Sequence, residues 1–380
     1  MSHARRFTFF ATCAPGVEPV LHREASALRF AKIERQVGGV RFEGTIEDAW
    51  RAVFSLRTAV RVYLRLERFR AEDGDALYAG VGTIDWSRFV RPDGSLVVSA
   101  QTKDSKLDHT LFIEQRTKDA IVDQFARGGG VRPSVEKDAP DLFVHVHLWR
   151  NRATISVDTA GASLHKRGWR RYQGRAPLAE TLAAAVVELS GWDGRAPLID
   201  PFCGSGTLLI EAALSAFGVP PGVFRKEFGF ERFPTHDAAR WKALRAKWSE
   251  PAPARRPPIL LGVDRDPKTI AGARRNVEAA GLGEIIELAV GEATAFEFKH
   301  GWNASIVTNP PYGERVDARE DLVGLYRRFG LALRARASGY RLALLSGNPD
   351  LSRALGLHPE KVTELLNGAI RCELLELTVP

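Results

Sequence analysis

The sequence predicts an α/β protein whose C-terminal half is a doubly wound, mostly parallel, Rossmann-like sheet, preceded by an α+β unit of short strands and helices. Three observations predict this. From residue 198 onward, short apolar runs alternate with helical patterns, the rhythm of strand-helix-strand crossovers. The first of those runs passes directly into the glycine-containing turn Pro201-Phe202-Cys203-Gly204-Ser205-Gly206-Thr207. Before residue 160 the strand signals are shorter and one pair reads as a hairpin, as in α+β folds.

Taken in order, residues 7–11 alternate as a strand, Gly16-Val17-Glu18-Pro19 is a turn, and 20–28 form an amphipathic helix. Residues 40–42 are the next strand, and Thr45 with Asp48 opens a helix reaching Leu56. Residues 62–66 and 96–100 read as strands, 111–125 as a helix, and 142–149 with 153–157 as a hairpin turning at Asn151. A helix is expected over 176–189 with Pro177 near its first turn. The C-terminal strands are 198–200, 259–264, 285–290, 304–308 and 341–345, with helices at 207–216, 267–280 and 321–335. The segments 362–366 and 369–379 form a closing hairpin across Asn367-Gly368. Residues 217–258 are an insertion rich in Pro, Arg and aromatics, and its end, 251–258, reads as an exposed linker. No internal repeat is visible.

Composition narrows the function classes. With 380 residues, 44% hydrophobic and 26% charged, the chain can bury a core without staples. Cys13, Cys203 and Cys372 are far apart, odd in number and form no Cys-x-x-Cys pair, which argues for a reduced compartment and no structural zinc. His145 and His147 share a strand face without acidic partners, so no metal is expected. Arg5 and Arg6 precede an apolar stretch too short for a signal peptide, and no segment reaches a spanning length. No membrane partner is expected and the cytoplasm is the predicted location. Residues 1–190 carry 29 basic and 23 acidic side chains against 25 and 23 in the remainder, so the basic excess lies away from the glycine turn and suits a polyanion. The junction Ser163-Leu164-His165-Lys166-Arg167-Gly168-Trp169-Arg170-Arg171 concentrates cations and rings; it reads equally as an RNA contact and as a solvated linker.

Two motifs carry chemistry. At Asp200 a strand must turn sharply into a helix, so Gly204 and Gly206 let backbone lie against a ligand while Thr207 starts the helix. Such a loop would hold the methionine and ribose portions of S-adenosylmethionine; the third glycine of a dinucleotide fingerprint is absent, with Leu209 standing three residues beyond Gly206. Pro201, Cys203 and Ser205 complete that loop. In Gly262-Val263-Asp264-Arg265-Asp266-Pro267, Asp264 is placed to accept the ribose hydroxyls. Asp266 before Pro267 reads equally as an N-cap and as an adenine contact, with Arg265 between them. At the third strand, Glu292 and Ala293 stand where the adenine amine would be met.

The second motif, Asn309-Pro310-Pro311-Tyr312, is a clamp for a flat amine-bearing base. An exocyclic amine is a weak nucleophile because its lone pair is delocalised into the ring. If the Asn309 oxygen and the Pro310 carbonyl accept its hydrogens, the lone pair turns toward the methyl donor, and orientation replaces a strong base. Tyr312 would stack on the extruded base and the prolines would stiffen the platform.

These segments, together with Phe9-Phe10-Ala11-Thr12-Cys13, Lys118-Asp119-Ala120-Ile121-Val122-Asp123, Arg132-Pro133-Ser134-Val135 and Asn309-Pro310-Pro311-Tyr312-Gly313-Glu314-Arg315, resemble the THUMP-domain class I RNA methyltransferases related to the bacterial 23S ribosomal RNA guanine-N2 enzymes, over nearly the whole chain. The resemblance implies a ferredoxin-like domain at 1–50, a THUMP domain at 51–160 that binds structured RNA, a linker at 161–175 and a class I methyltransferase domain at 176–380. It implies guanine-N2 methylation in ribosomal RNA, with tRNA as the sibling substrate. Lys118, Arg132, Lys166, Arg167 and Arg170 are its RNA-facing candidates. Where relatives have Asp at the third strand this chain has Glu292, and Phe202 stands where many have Met. Some relatives carry a second methyltransferase module, and a single one is expected here. Adenine-N6 methylation and a catalytically silent RNA-binding role in ribosome assembly are the alternatives; the intact loop and clamp weigh against the latter.

Overall fold

The computed structural model describes residues 5–127, 131–174, 177–250, 257–299, 301–312 and 321–380. In chain order its elements begin β1 (Phe7–Thr12), α1 (Glu18–Ala27), β2 (Ala31–Gln36), β3 (Gly39–Gly44), α2 (Ile46–Ser55), β4 (Arg61–Arg70) and α3 (Gly74–Gly82). They continue with β5 (Ser95–Lys103), α4 (Thr110–Arg127), β6 (Ser134–Val135), β7 (Leu142–Trp149) and β8 (Arg152–Asp158). After these come α5 (Glu180–Leu189), β9 (Leu198–Asp200), α6 (Thr207–Ala216), α7 (Ala238–Trp248), β10 (Leu260–Asp264), α8 (Pro267–Ala279), β11 (Ile286–Val290) and β12 (Ser305–Thr308). The chain closes with α9 (Leu322–Arg336), β13 (Arg341–Ser346), α10 (Pro349–Ala354), β14 (Lys361–Asn367) and β15 (Ile370–Thr378). They divide into two compact units.

The first unit comprises Met1–Thr12, Ala25–Leu164 and Arg225–Trp248. Its sheet has the order β2-β3-β1-β4-β8-β7-β5-β6, with β5 parallel to β6 and β7 and the other pairs antiparallel. Apolar residues alternate inward, as in Leu142, Val144, Val146 and Leu148 of β7. Thr45 and Asp48 form a reciprocal capping box on α2, satisfying two donors that a helix start leaves open. The β7–β8 turn is made by Arg150 and Asn151, both at positive φ, which matches the twist of the strands it joins.

Two expectations need correction here, and one helix is added to them. A boundary at residue 50 would cut α2, whose buried Trp50, Val53 and Phe54 belong to this unit's core. The 217–258 insertion contains α7, which the sequence reading did not anticipate and which buries Trp241 against Trp50, Phe54, Phe228 and Phe230 at centroid distances of 5.0–6.0 Å. Its expected tail lies largely outside the described residues, at 251–256. The helix expected from 176 begins at Glu180, because residues 177–179 run extended and Ala179 is the N-cap. Arg175 and Ala176 are outside the described residues.

The second unit comprises Cys13–Glu24, His165–Phe224 and Ser249–Pro380. Its sheet order is β11-β10-β9-β12-β13-β15-β14; β11 to β13 are parallel, and the β14–β15 hairpin adds an antiparallel edge beyond β13. From β9 the chain adds β10 and β11 on one side and β12 and β13 on the other, so the order reverses between β9 and β12. Ligands of open α/β sheets bind at that reversal, outside the carboxyl ends of the strands. Ile306, Leu344, Phe329, Leu333 and Tyr340 pack α9 onto the sheet there. Among the described residues no helix is long and apolar enough to cross a membrane, and no group of three His, Cys, Asp or Glu side chains could hold a metal ion.

Candidate functional site

Both motifs arrive at the sheet reversal. β9 ends at Asp200 and the loop to α6 places Gly204 and Gly206 at φ +51° and +79°, conformations that side chains rarely adopt. Cys203 N–H donates to the Val263 carbonyl (2.9 Å) and Gly204 N–H to Asp264 Oδ2 (3.2 Å), so the loop is laced to the tip of β10. Gly262 is required by packing, since a Cβ there would lie 2.6 Å from Leu209 and Leu288. Over Gly204 the space is open: a Cβ would meet nothing within 4 Å.

The acids differ in role. Asp200 is fully buried and accepts from Thr308 Oγ1 (2.7 Å) and Phe202 N–H (3.2 Å). Burial pushes its carboxyl up to about 7, and the Asp264 charge pushes the same way against those two bonds. Asp264 is half-buried at the end of β10, accepts the Gly204 and Asp266 N–H groups, and is raised by burial. Asp266 is the N-cap of α8, taking Lys268 N–H and the Thr269 hydroxyl at 2.9 Å. Those bonds hold its pKa below the usual carboxylate range, which places it in the capping role. Arg265 and Glu292 are exposed, Glu292 at the end of β11 beside the buried Ala293. Burial pushes the Cys203 thiol well up, so it supplies no thiolate.

β12 is buried throughout and delivers Asn309 and Pro310 beside the Asp200 strand. Asn309 Oδ1 is buried and has no hydrogen-bond partner among the described residues. An amide oxygen left this way costs about 1–3 kcal/mol until a donor reaches it. Tyr312 lies with its ring against Gly347, its hydroxyl meeting Asn367 Nδ2 (2.9 Å) and Cys372 Sγ (3.7 Å). The ring is thus anchored on the β14–β15 hairpin. Gly313, Glu314 and Arg315 lie outside the described residues.

Two predicted RNA contacts belong under the loop instead. Arg167 is buried and paired with Glu211. Arg170 donates to Glu180 (2.7 Å), Ser205 Oγ (3.2 Å), Thr207 Oγ1 (3.1 Å) and the Leu178 carbonyl (3.0 Å). Both guanidinium groups are consumed by the interior, which leaves no fork for phosphate. Lys166 and Arg132 are exposed, and Lys118 on α4 pairs with Asp119 at 2.9 Å. Sequence reasoning missed Thr308 and Asn276. Asn276 accepts Arg171 and Tyr172 N–H groups and donates to the Tyr172 and Ser205 carbonyls, filling all of its bonds. The signal was a polar residue on the buried face of a helix.

The comparisons with known proteins agree with this geometry. A family model described as RMKL-like, methyltransferase domain matches residues 167–376. An RlmL ferredoxin-like domain matches 8–63 and a THUMP domain 71–158. Ribosomal RNA large subunit methyltransferase K/L of Syntrophotalea carbinolica is 40% identical over 98% of this chain and 53% of its own length. The protein of that name from Methylococcus capsulatus is 43% identical over 96% and 50%. The chain therefore spans about half the length of the curated relatives it matches. The crystal structure of SMU.472 complexed with SAH superposes with a TM-score of 0.89 at 29% identity, covering 100% of this chain and 99% of that one. The residues here fit an adenosine-bearing methyl donor: open backbone at Gly204, a carboxylate ending β10, Glu292 just past β11, and an acceptor at the end of β12 that is unpaired among the described residues. The chain belongs to the RMKL-like methyltransferase family and joins that domain to RlmL ferredoxin-like and THUMP domains.

Proposed function

We propose that this protein methylates the exocyclic N2 amine of a guanine in large-subunit ribosomal RNA, in the cytoplasm. The observation that carries the reading is the buried Asn309 Oδ1 at the sheet reversal, unpaired among the described residues. An oxygen in that state is satisfied by a ligand N–H and not by the fold. Bound S-adenosylmethionine supplies an electrophilic methyl group. Gly204, Ser205 and Gly206 would offer backbone to it, Asp264 would hold the ribose hydroxyls, and Glu292 would meet the adenine amine. Asn309 and the Pro310 carbonyl accept hydrogens of the target amine and stabilise the positive charge that develops on it. Tyr312 borders the base, its ring fixed by Asn367.

The division of labour follows the chain. Residues past α2 to about 160 bind RNA, and residues 176–380 hold the cofactor and perform transfer. The THUMP match and the names of the curated relatives support RNA over DNA and ribosomal RNA over tRNA. The test is incubation with labelled S-adenosylmethionine and undermodified total RNA, followed by digestion to nucleosides. Label in N2-methylguanosine from the large ribosomal RNA is the expected result. Label in tRNA or in N6-methyladenosine moves the substrate, and cofactor binding without label in any RNA removes the enzyme reading.

A further inference from the structure

At the Arg70 end of β4 and the adjoining ends of β7 and β8, the sheet of the first unit has one face against α3 and the other exposed. Further along that second face Tyr63, Ser156 and Asp158 are buried. Phe69 of β4 lies against Gly80 of α3, where any Cβ would overlap its ring, so Arg68 and Arg70 on either side point to the opposite face. The same alternation turns Leu148 of β7 inward and His147 and Trp149 outward. Register then builds two rungs across four strands. Arg68 pairs with Thr154, Thr154 with His147 and His147 with Gln101; Arg70 pairs with Arg152, Arg152 with Trp149 and Trp149 with Lys103. Every one of these except the half-buried Thr154 is exposed, and none is acidic.

Trp149 is 42% exposed, an unusual position for an indole on a sheet surface, and the Arg150 guanidinium lies 4.8 Å from its ring centroid. Arg70 shares Glu72 with Lys106. Arg68, Arg152 and Lys103 have no acidic partner among the described residues. Although its side chain reaches solvent, partial burial of the His147 ring against the sheet, with Arg65 and Arg68 nearby, holds its imidazole below the usual pKa. Cations surrounding uncharged rings match a polyanion that carries flat bases: guanidinium groups take phosphates, and an exposed indole offers a stacking face to any base. An acidic protein surface would need the cations and not the ring.

We propose that this end of the open sheet face, Trp149 with Arg68, Arg70, Arg152 and Lys103, is an RNA-docking surface on which an unpaired base stacks while neighbouring phosphates sit on the cations. The proposal rests on RNA being the substrate.

The experiment uses the full chain and in vitro-transcribed, unmodified large-subunit ribosomal RNA, with binding measured at several salt concentrations. Trp149→Ala weakens binding about tenfold. The double variant Arg68→Glu/Arg152→Glu weakens it about a hundredfold and lowers the salt slope by about two. Both variants keep wild-type affinity for S-adenosylhomocysteine. Arg91→Glu/Lys137→Glu makes the same charge change at exposed positions preceding β5 and β7, at the other end of those strands, and leaves RNA affinity near wild type. Wild-type RNA affinity in both surface variants, or an equal loss in the control, overturns the proposal while leaving the methyltransferase reading intact. A wild-type chain that binds no RNA overturns both. Competition by polyglutamate as strong as that by RNA, unaffected by Trp149→Ala, assigns the face to an acidic protein and also overturns it.

Discussion

Thr308 donates a 2.7 Å hydrogen bond to the buried carboxyl of Asp200, joining the ends of β9 and β12 at the point where the sheet order reverses. The bond sets the spacing between the strand that starts the cofactor loop and the strand that ends in Asn309. Because burial raises the Asp200 carboxyl from 3.8 to about 7, the folded state holds a proton there that the unfolded chain releases near pH 4. Stability from this group is therefore full below about pH 4 and falls as pH rises toward 7, by on the order of a few kcal/mol. Asp200→Asn is expected to reduce the pH dependence of the urea midpoint across that window, with slope in the same direction remaining from Asp158 and Asp264, whose carboxyls burial also raises. An unchanged slope would place the ionisation elsewhere.

Arg170 links α5 to the cofactor loop through Glu180, Ser205 and Thr207. Arg170→Ala leaves Glu180 buried without its cation and is expected to destabilise by about 3–5 kcal/mol. Arg170→Lys restores one charge but not the fork, so it is expected to recover most of the melting temperature while S-adenosylhomocysteine affinity stays about tenfold low. Calorimetric titration beside thermal unfolding separates the two; recovery of affinity in step with stability would make Arg170 a scaffold residue only.

Trp241 is enclosed by Trp50, Phe54, Phe228 and Phe230 within the first unit. Trp241→Ala is expected to cost about 3–5 kcal/mol and to expose tryptophan fluorescence from that cluster. Cofactor affinity at temperatures where the variant stays folded is expected to match wild type, since the loop belongs to the second unit.

Much of this fold was legible because its patterns are local. The Thr45–Asp48 capping box, the Asn151 turn and the Asn367-Gly368 hairpin each follow from a few neighbouring residues. The turn at Gly204 and the placement of Asn309-Pro310 at the end of β12 were legible for the same reason: glycine and proline constrain backbone wherever they stand. What failed was partnership at a distance. Arg167 and Arg170 looked like solvated cations because their acids, Glu211 and Glu180, lie in helices that sequence alone does not bring to them. α7 escaped notice because its burial rests on Trp241 alone, without an apolar stripe. The basic rungs of the open sheet face were invisible for the opposite reason. Arg68, Arg152 and Lys103 are far apart in the chain and meet only through strand register.

Asn309 Oδ1 is a buried acceptor that no donor reaches among the described residues. Asn309→Ala removes no hydrogen bond made within the described residues, so folding stability is expected to hold or to rise by about 1 kcal/mol. The most direct test is single-turnover methylation of unmodified large-subunit ribosomal RNA by Asn309→Ala, read beside S-adenosylhomocysteine affinity. The predicted result is a rate lower by about 100-fold or more, with cofactor affinity within about twofold of wild type. Equal loss of rate and cofactor affinity, or a rate near wild type, would contradict the assignment of Asn309 to the target amine.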